Sequence, residues 1–129
     1  MSKFVVEVFE DVPGVATFYE LIRNGKCQFD EFMDSLEKSG NMRSEFNGIF
    51  SIIDRVAKFK VNEWDLPDTL FKELKGYGKV KDYEIRKNGI RIYLCRYLEG
   101  YLLILGGNKP DYLRDIAYMR KLKNEFLIL

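Results

Sequence analysis

The chain contains no histidine. That absence removes every mechanism that needs an imidazole: serine and cysteine triads, the commonest zinc sites and a histidine general base. Acid–base chemistry falls to Lys, Arg, Tyr, Asp or Glu. Cysteine is scarce as well. Cys27 and Cys95 stand at no metal-ligand spacing, and Cys95 lies in an apolar strand pattern where a small buried hydrophobe is expected. Long hydrophobic runs are missing too. The opening MSKFVVEVFEDVPG interrupts its short apolar stretch with Glu7, Glu10 and Asp11, and nothing later approaches a membrane span. The expectation is a cytoplasmic protein with no signal peptide and no membrane partner. The glycine pair Gly106-Gly107 has neither the GxGxxG spacing nor a Walker lysine, which argues against a nucleotide-binding fold.

Apolar residues make up 47% of the 129 and aromatics 15%, enough for a globular core without covalent staples. One domain over 1–129 is expected, with no repeats or linkers. The net charge of +1 hides an asymmetry. Residues 1–71 hold 8 Lys+Arg against 13 Asp+Glu, a net of −5, whereas residues 72–129 hold 13 against 7, a net of +6. Two readings follow: a polyanion-facing surface on the second half, or two halves that neutralise each other in the fold.

Residues 3–9, rich in valine, predict a strand ended by Pro13-Gly14. Three helical patterns are expected next. The first carries Val15, Phe18 and Ile22, and the second Phe29, Phe32, Met33 and Leu36 up to Ser39-Gly40. The third, over 43–58, carries Phe46, Ile49, Phe50, Ile53, Val56 and Ala57. The second and third should form a helical hairpin, and their aromatics, with Phe18, should be core. Asp68 is expected to cap a short helical turn with Leu70, Phe71 and Leu74. From Val80 onward the pattern turns to strands. Asn88-Gly89 predicts a hairpin between 83–87 and 90–97, and Glu99-Gly100 a second turn before 101–105. Gly106-Gly107-Asn108 should end the sheet, with Asn108 capping a last helix. That helix should bury Tyr112, Ile116, Met119, Leu122 and Phe126 and expose Arg114, Tyr118, Lys121 and Glu125. The fold class is α+β: a strand and helical region over 1–79, then a β-meander and terminal helix over 80–129, with helices on one side of a small antiparallel sheet.

Within the meander, Arg91, Tyr93, Cys95 and Tyr97 share one strand face, and Ile90, Ile92 and Leu94 the other. The mixed face could meet solvent or a ligand. The hairpin brings Arg86 back toward Arg91, and two guanidiniums side by side call for an anion such as phosphate, or for cross-strand pairing with Asp82, Glu84 or Glu99. Lys109 stands at the mouth of the last helix, a phosphate-binding position or a solvated one. Arg114 and Tyr118 on the exposed helix face, and Lys79 and Lys81 before the first meander strand, are RNA-binding candidates. For the two lysines the more ordinary reading is protection of the sheet edge.

Residues 83–86 (YEIR), 89–93 (GIRIY), the apolar run 101–105, Gly106-Gly107-Asn108-Lys109 and Arg114-Asp115-Ile116 keep an order and spacing that resemble the RelE/ParE superfamily of toxin–antitoxin toxins, in its RelE-like, HigB-like and addiction-module-killer branches. The chain departs from that pattern in Tyr112, where glutamine is common, in an enlarged N-terminal half and in its lack of histidine.

The resemblance implies a RelE-like fold and a stress-response toxin that inhibits translation by cleaving mRNA on the ribosome without a metal or other cofactor, held in check by a cognate antitoxin protein. It implies that Arg86 and Arg91 clamp the scissile phosphate, that Lys109 assists, and that Tyr118 or Tyr112 orients the nucleophile or stacks on a base. A lysine, Glu84 or a ribosomal group would have to be the base. A ParE-like toxin that poisons gyrase without nuclease activity, and an interaction module without toxicity, are the alternatives.

Overall fold

The valine-rich N-terminal run forms strand β1 (Phe4–Val8), and Pro13-Gly14 lie beyond its end. The structure, a computed structural model, describes residues 2–9, 12–76 and 78–128. The stretch expected as a first helix is strand β2 (Phe18–Arg23). Phe18 and Leu21 are buried while Val15 is exposed, so the helical spacing of Val15, Phe18 and Ile22 marks no common face. Tertiary pairing decides the matter, because β2 has a strand on either side that uses both rows of its backbone polar groups.

The two longer helical patterns are α1 (Gln28–Lys38) and α2 (Arg43–Ala57), joined through Gly40 at φ 77° and packed on each other. Phe29, Met33 and Leu36 of α1 and Ile49, Ile53 and Val56 of α2 are buried. Phe32, Phe46 and Phe50 are half-buried against the same core. After α2, the expected helical turn around Phe71 is instead a tight turn and an edge strand, β3 (Phe71–Leu74). The Pro67 carbonyl accepts the N–H groups of Leu70 (2.9 Å) and Phe71 (3.1 Å), and the Phe71 ring then stacks on Tyr83, centroids 5.4 Å apart.

The meander is as expected: β4 (Asp82–Lys87), β5 (Ile90–Tyr97) and β6 (Gly100–Asn108). Asn88 supplies the left-handed turn residue at φ 54°. The glycine pair does not end the sheet. β6 runs through Gly106 and Gly107 to Asn108, which pairs with Ile90. A side chain at Gly106 would strike Phe32 and one at Gly107 would strike the Asp115 carboxylate, so these glycines admit neighbours on both faces. Asn108 makes no side-chain cap. A 3-10 turn (Lys109–Asp111) leads instead into α3 (Tyr112–Leu127).

The sheet order is β1-β2-β6-β5-β4-β3, antiparallel throughout except for the parallel pair β2 and β6. The fold is α+β, and strands from residues 1–79 and 80–129 share the one sheet. Helices cover both faces rather than one, which corrects the expected one-sided layout. Side-chain alternation assigns Ile92, Leu94 and Leu103 to a core beneath α1 and α2, and Tyr93, Cys95, Leu102 and Ile104 to a second core beneath α3. The mixed face of β5 is therefore covered over most of its length. α3 buries Met119 and Leu122 as expected, but Tyr112 is 46% exposed, Ile116 and Phe126 are half-buried, and Tyr118 is half-buried rather than solvated. Polar groups also hold α3 on the sheet: Lys123 Nζ reaches one carboxylate oxygen of buried Asp82 at 2.8 Å and Arg120 Nε the other at 2.9 Å. Among the described residues no helix is long and apolar enough to cross a membrane.

Candidate anion-binding cleft

The β4–β5 hairpin places Arg86 and Arg91 directly opposite one another in register, on the α3 face. The pair sits at the hairpin tip beside the first turns of α3, where Arg86 keeps 30% of its side chain exposed while Arg91 is nearly buried. The Lys109 N–H donates to the Gly89 carbonyl at 2.7 Å, which pins the start of the 3-10 turn to the same tip. On the other side Lys72 of β3 pairs with Glu84 of β4. Lys72, Glu84, Arg86, Arg91 and Lys109 thus surround one cleft of about 350 Å³, closed on its apolar side by Leu74, Tyr112 and Ile116. The three residues expected to hold a phosphate converge.

Four cations against Glu84 leave the lining at +3. Arg86 Nε donates to Glu84 Oε1 at 2.6 Å, so Glu84 offsets one arginine, but along strand β4, two residues apart, rather than across the strands as expected from the sequence. Arg91 is different. Its Nη1 donates to the carbonyls of Asn88 (2.7 Å) and Ile90 (2.9 Å), and among the described residues no carboxylate lies within 4.0 Å of it, nor of Lys72 or Lys109. A nearly buried guanidinium held by carbonyls keeps its charge available to an anion.

Two groups near the cleft have surroundings that the sequence did not foretell. The Tyr93 hydroxyl is fully buried and makes no hydrogen bond. Burial drives its acidity well below the usual, and Glu84 and Asp115 add to that while Arg91 and Arg86 oppose it. The Asp115 carboxyl, lodged against Gly107, is raised above the usual carboxylate range by burial, although Arg114 lies 3.5 Å away. Lys72 was also missed, since a residue assigned to a helical turn has no strand face. Only once Phe71–Leu74 is a strand with Phe71 buried does alternation set Lys72 on the opposite face.

The other candidates lie elsewhere. Lys79 and Lys81 border a separate hollow with Arg96 and Tyr97, at the far end of β5, and Lys81 pairs with Glu73 at 3.5 Å. Arg114 is occupied by Asp111 (3.4 Å) and Asp115 on the outer side of α3. The Tyr118 hydroxyl accepts from Arg23 Nη1 at 3.4 Å and packs toward β1 and β2.

The carboxylates of Glu20 and Asp30 and the Cys27 thiol have ligand atoms within 4.8 Å of one another. The thiol donates to Glu20 at 3.2 Å and burial pushes it up, away from the thiolate a metal would need. Comparison with known proteins finds no matching family model, no matching curated protein and no matching solved structure.

Proposed function

We propose that the cleft binds an RNA phosphate and that the protein is the toxin of a toxin–antitoxin module, a metal-independent endoribonuclease acting in the cytoplasm on mRNA at the ribosome and restrained by a cognate antitoxin. The observation that carries the reading is the convergence of Arg86, Arg91, Lys109 and Lys72 on one cleft, with Arg91 and both lysines lacking a carboxylate partner there. The order of helical pair, three-stranded meander and terminal helix also agrees with the RelE-like resemblance.

In this reaction the ribose 2′-oxygen bonds to the adjacent phosphorus and the bond to the 5′-oxygen breaks, the departing oxygen taking a proton from solvent, leaving a 2′,3′-cyclic phosphate and a 5′-hydroxyl. Negative charge gathers on the phosphorane oxygens, where fixed guanidiniums stabilise it more than in the ground state. Arg91, held by backbone carbonyls, supplies the fixed charge, Arg86 the mobile one, and Lys109 a charge toward the leaving oxygen. Glu84 lines the cleft and accepts the 2′-hydroxyl proton. Exposed Tyr112 at the rim offers a face on which a base can stack.

Primer extension on cellular mRNA after induction tests this. Wild type should produce cleavage, and Arg86→Ala or Arg91→Ala should reduce it by roughly 10²-fold or more, as loss of one transition-state donor does elsewhere. Growth arrest with intact mRNA that survives both substitutions would reject the nuclease in favour of a protein-directed, gyrase-poisoning toxin.

A further inference from the structure

Glu84 is 3% exposed, and its Oε1 is taken by Arg86, the more accessible member of the arginine pair. Tyr93 is the direct cross-strand partner of Glu84, on the same face, and its buried hydroxyl has no acceptor. A buried hydroxyl without a partner costs free energy, and natural cores rarely tolerate one without a reason. Its neighbours suggest the reason. An anion entering the cleft attracts Arg86, but removing Arg86 from Glu84 would strand a buried carboxylate, which is strongly unfavourable. Asp115, the other carboxylate acting on Tyr93, is already engaged by Arg114.

We infer that Tyr93 is the stand-in donor for Glu84: when an anion draws the Arg86 guanidinium into the cleft, the Tyr93 hydroxyl takes its place on the carboxylate. Tyr93 is then a positioning residue, acting through Glu84 and Arg86 without touching the ligand. The exchange keeps the number of donors on Glu84 constant and holds the carboxylate ionised while Arg86 serves the phosphate. It rests on the reading of the cleft as a phosphate site, and its test separates the two.

The test is a double-substitution cycle read by thermal unfolding, with titration of inorganic phosphate alongside. In the otherwise wild-type protein Tyr93→Phe should raise the unfolding midpoint or leave it unchanged, because it removes a buried hydroxyl that is unpaired there. With Arg86→Ala already present, the hydroxyl should occupy Glu84, and Tyr93→Phe should lower the midpoint by ~4 °C or more. Phosphate affinity should fall about tenfold in Tyr93→Phe, and that loss should vanish when Glu84→Gln replaces the charge that needs a spare donor. Equal midpoint shifts in the two backgrounds, as a hydroxyl satisfied by a fixed water would give, overturn the inference. So does unchanged phosphate affinity in Tyr93→Phe. Failure of the wild type to bind phosphate overturns the cleft reading and the anion trigger with it. Normal phosphate binding with RNA left intact removes only the nuclease reading.

Discussion

Glu20 is a residue whose neighbours oppose its charge from three sides. Burial raises its carboxyl most, Asp30 adds a hydrogen bond and a like charge, and Glu7 faces it directly across the β1–β2 pair. The Cys27 thiol works in the opposite direction. Together they push Glu20 from 4.5 up to about 8. Between those values the folded chain holds a proton that the unfolded chain has released, so stability falls as pH rises through that window and levels off above it. Urea unfolding midpoints across the window should show the decline, and Glu20→Gln should flatten it. A slope that survives the substitution would assign it to other groups.

Among the elements, the parallel junction of β2 and β6 decides the architecture, because it inserts the N-terminal strands beside the meander. It depends on Gly100. The Tyr101 N–H donates to the Thr17 carbonyl at 3.0 Å, and a Cβ on Gly100 would collide with that same carbonyl. Backbone cannot rotate aside as a side chain can. Gly100→Ala should therefore cost about 1–3 kcal/mol, seen as a lower midpoint in urea unfolding, by forcing the two strands apart. The junction also explains why the first helical expectation failed. Three apolar residues at Val15, Phe18 and Ile22 fit a helix locally, yet a six-residue segment is too short for propensity to outweigh strand partners on both sides.

Across the whole molecule the charge asymmetry of the sequence is kept rather than cancelled. Among the described residues, Arg23 with Glu125 at 4.0 Å joins the acidic half to the basic half, whereas the other ion pairs lie within one half or the other, Lys26 with Glu31 and Lys81 with Glu73 among them. Helices α1 and α2 of the acidic half cover one sheet face, and α3 of the basic half covers the other beside the cleft. With a net charge of only +1, long-range attraction to RNA is weak, and binding should depend on local phosphate contacts. Affinity for a single-stranded RNA oligonucleotide should therefore fall with salt with a log–log slope of roughly −2 to −3, the value for three to four neutralised phosphates. A slope near zero would mean that the cleft cations meet no phosphate.

The sequence alone determined what short-range chemistry determines. The Asn88-Gly89 turn set the β4–β5 hairpin and with it the opposition of Arg86 and Arg91; helical periodicity set α1 and α2; the missing histidine set which groups are left for chemistry. Tertiary structure alone decided that Phe18–Arg23 is a strand, that helices cover both sheet faces, that Lys72 joins the cleft while Lys79 and Lys81 stand apart, and that Tyr93 lies buried beside Glu84 without a partner. The reason is distance along the chain. Turns and helices are fixed by residues a few positions apart, whereas strand partners, burial and the company of a charged group depend on segments tens of residues away, which no local pattern records.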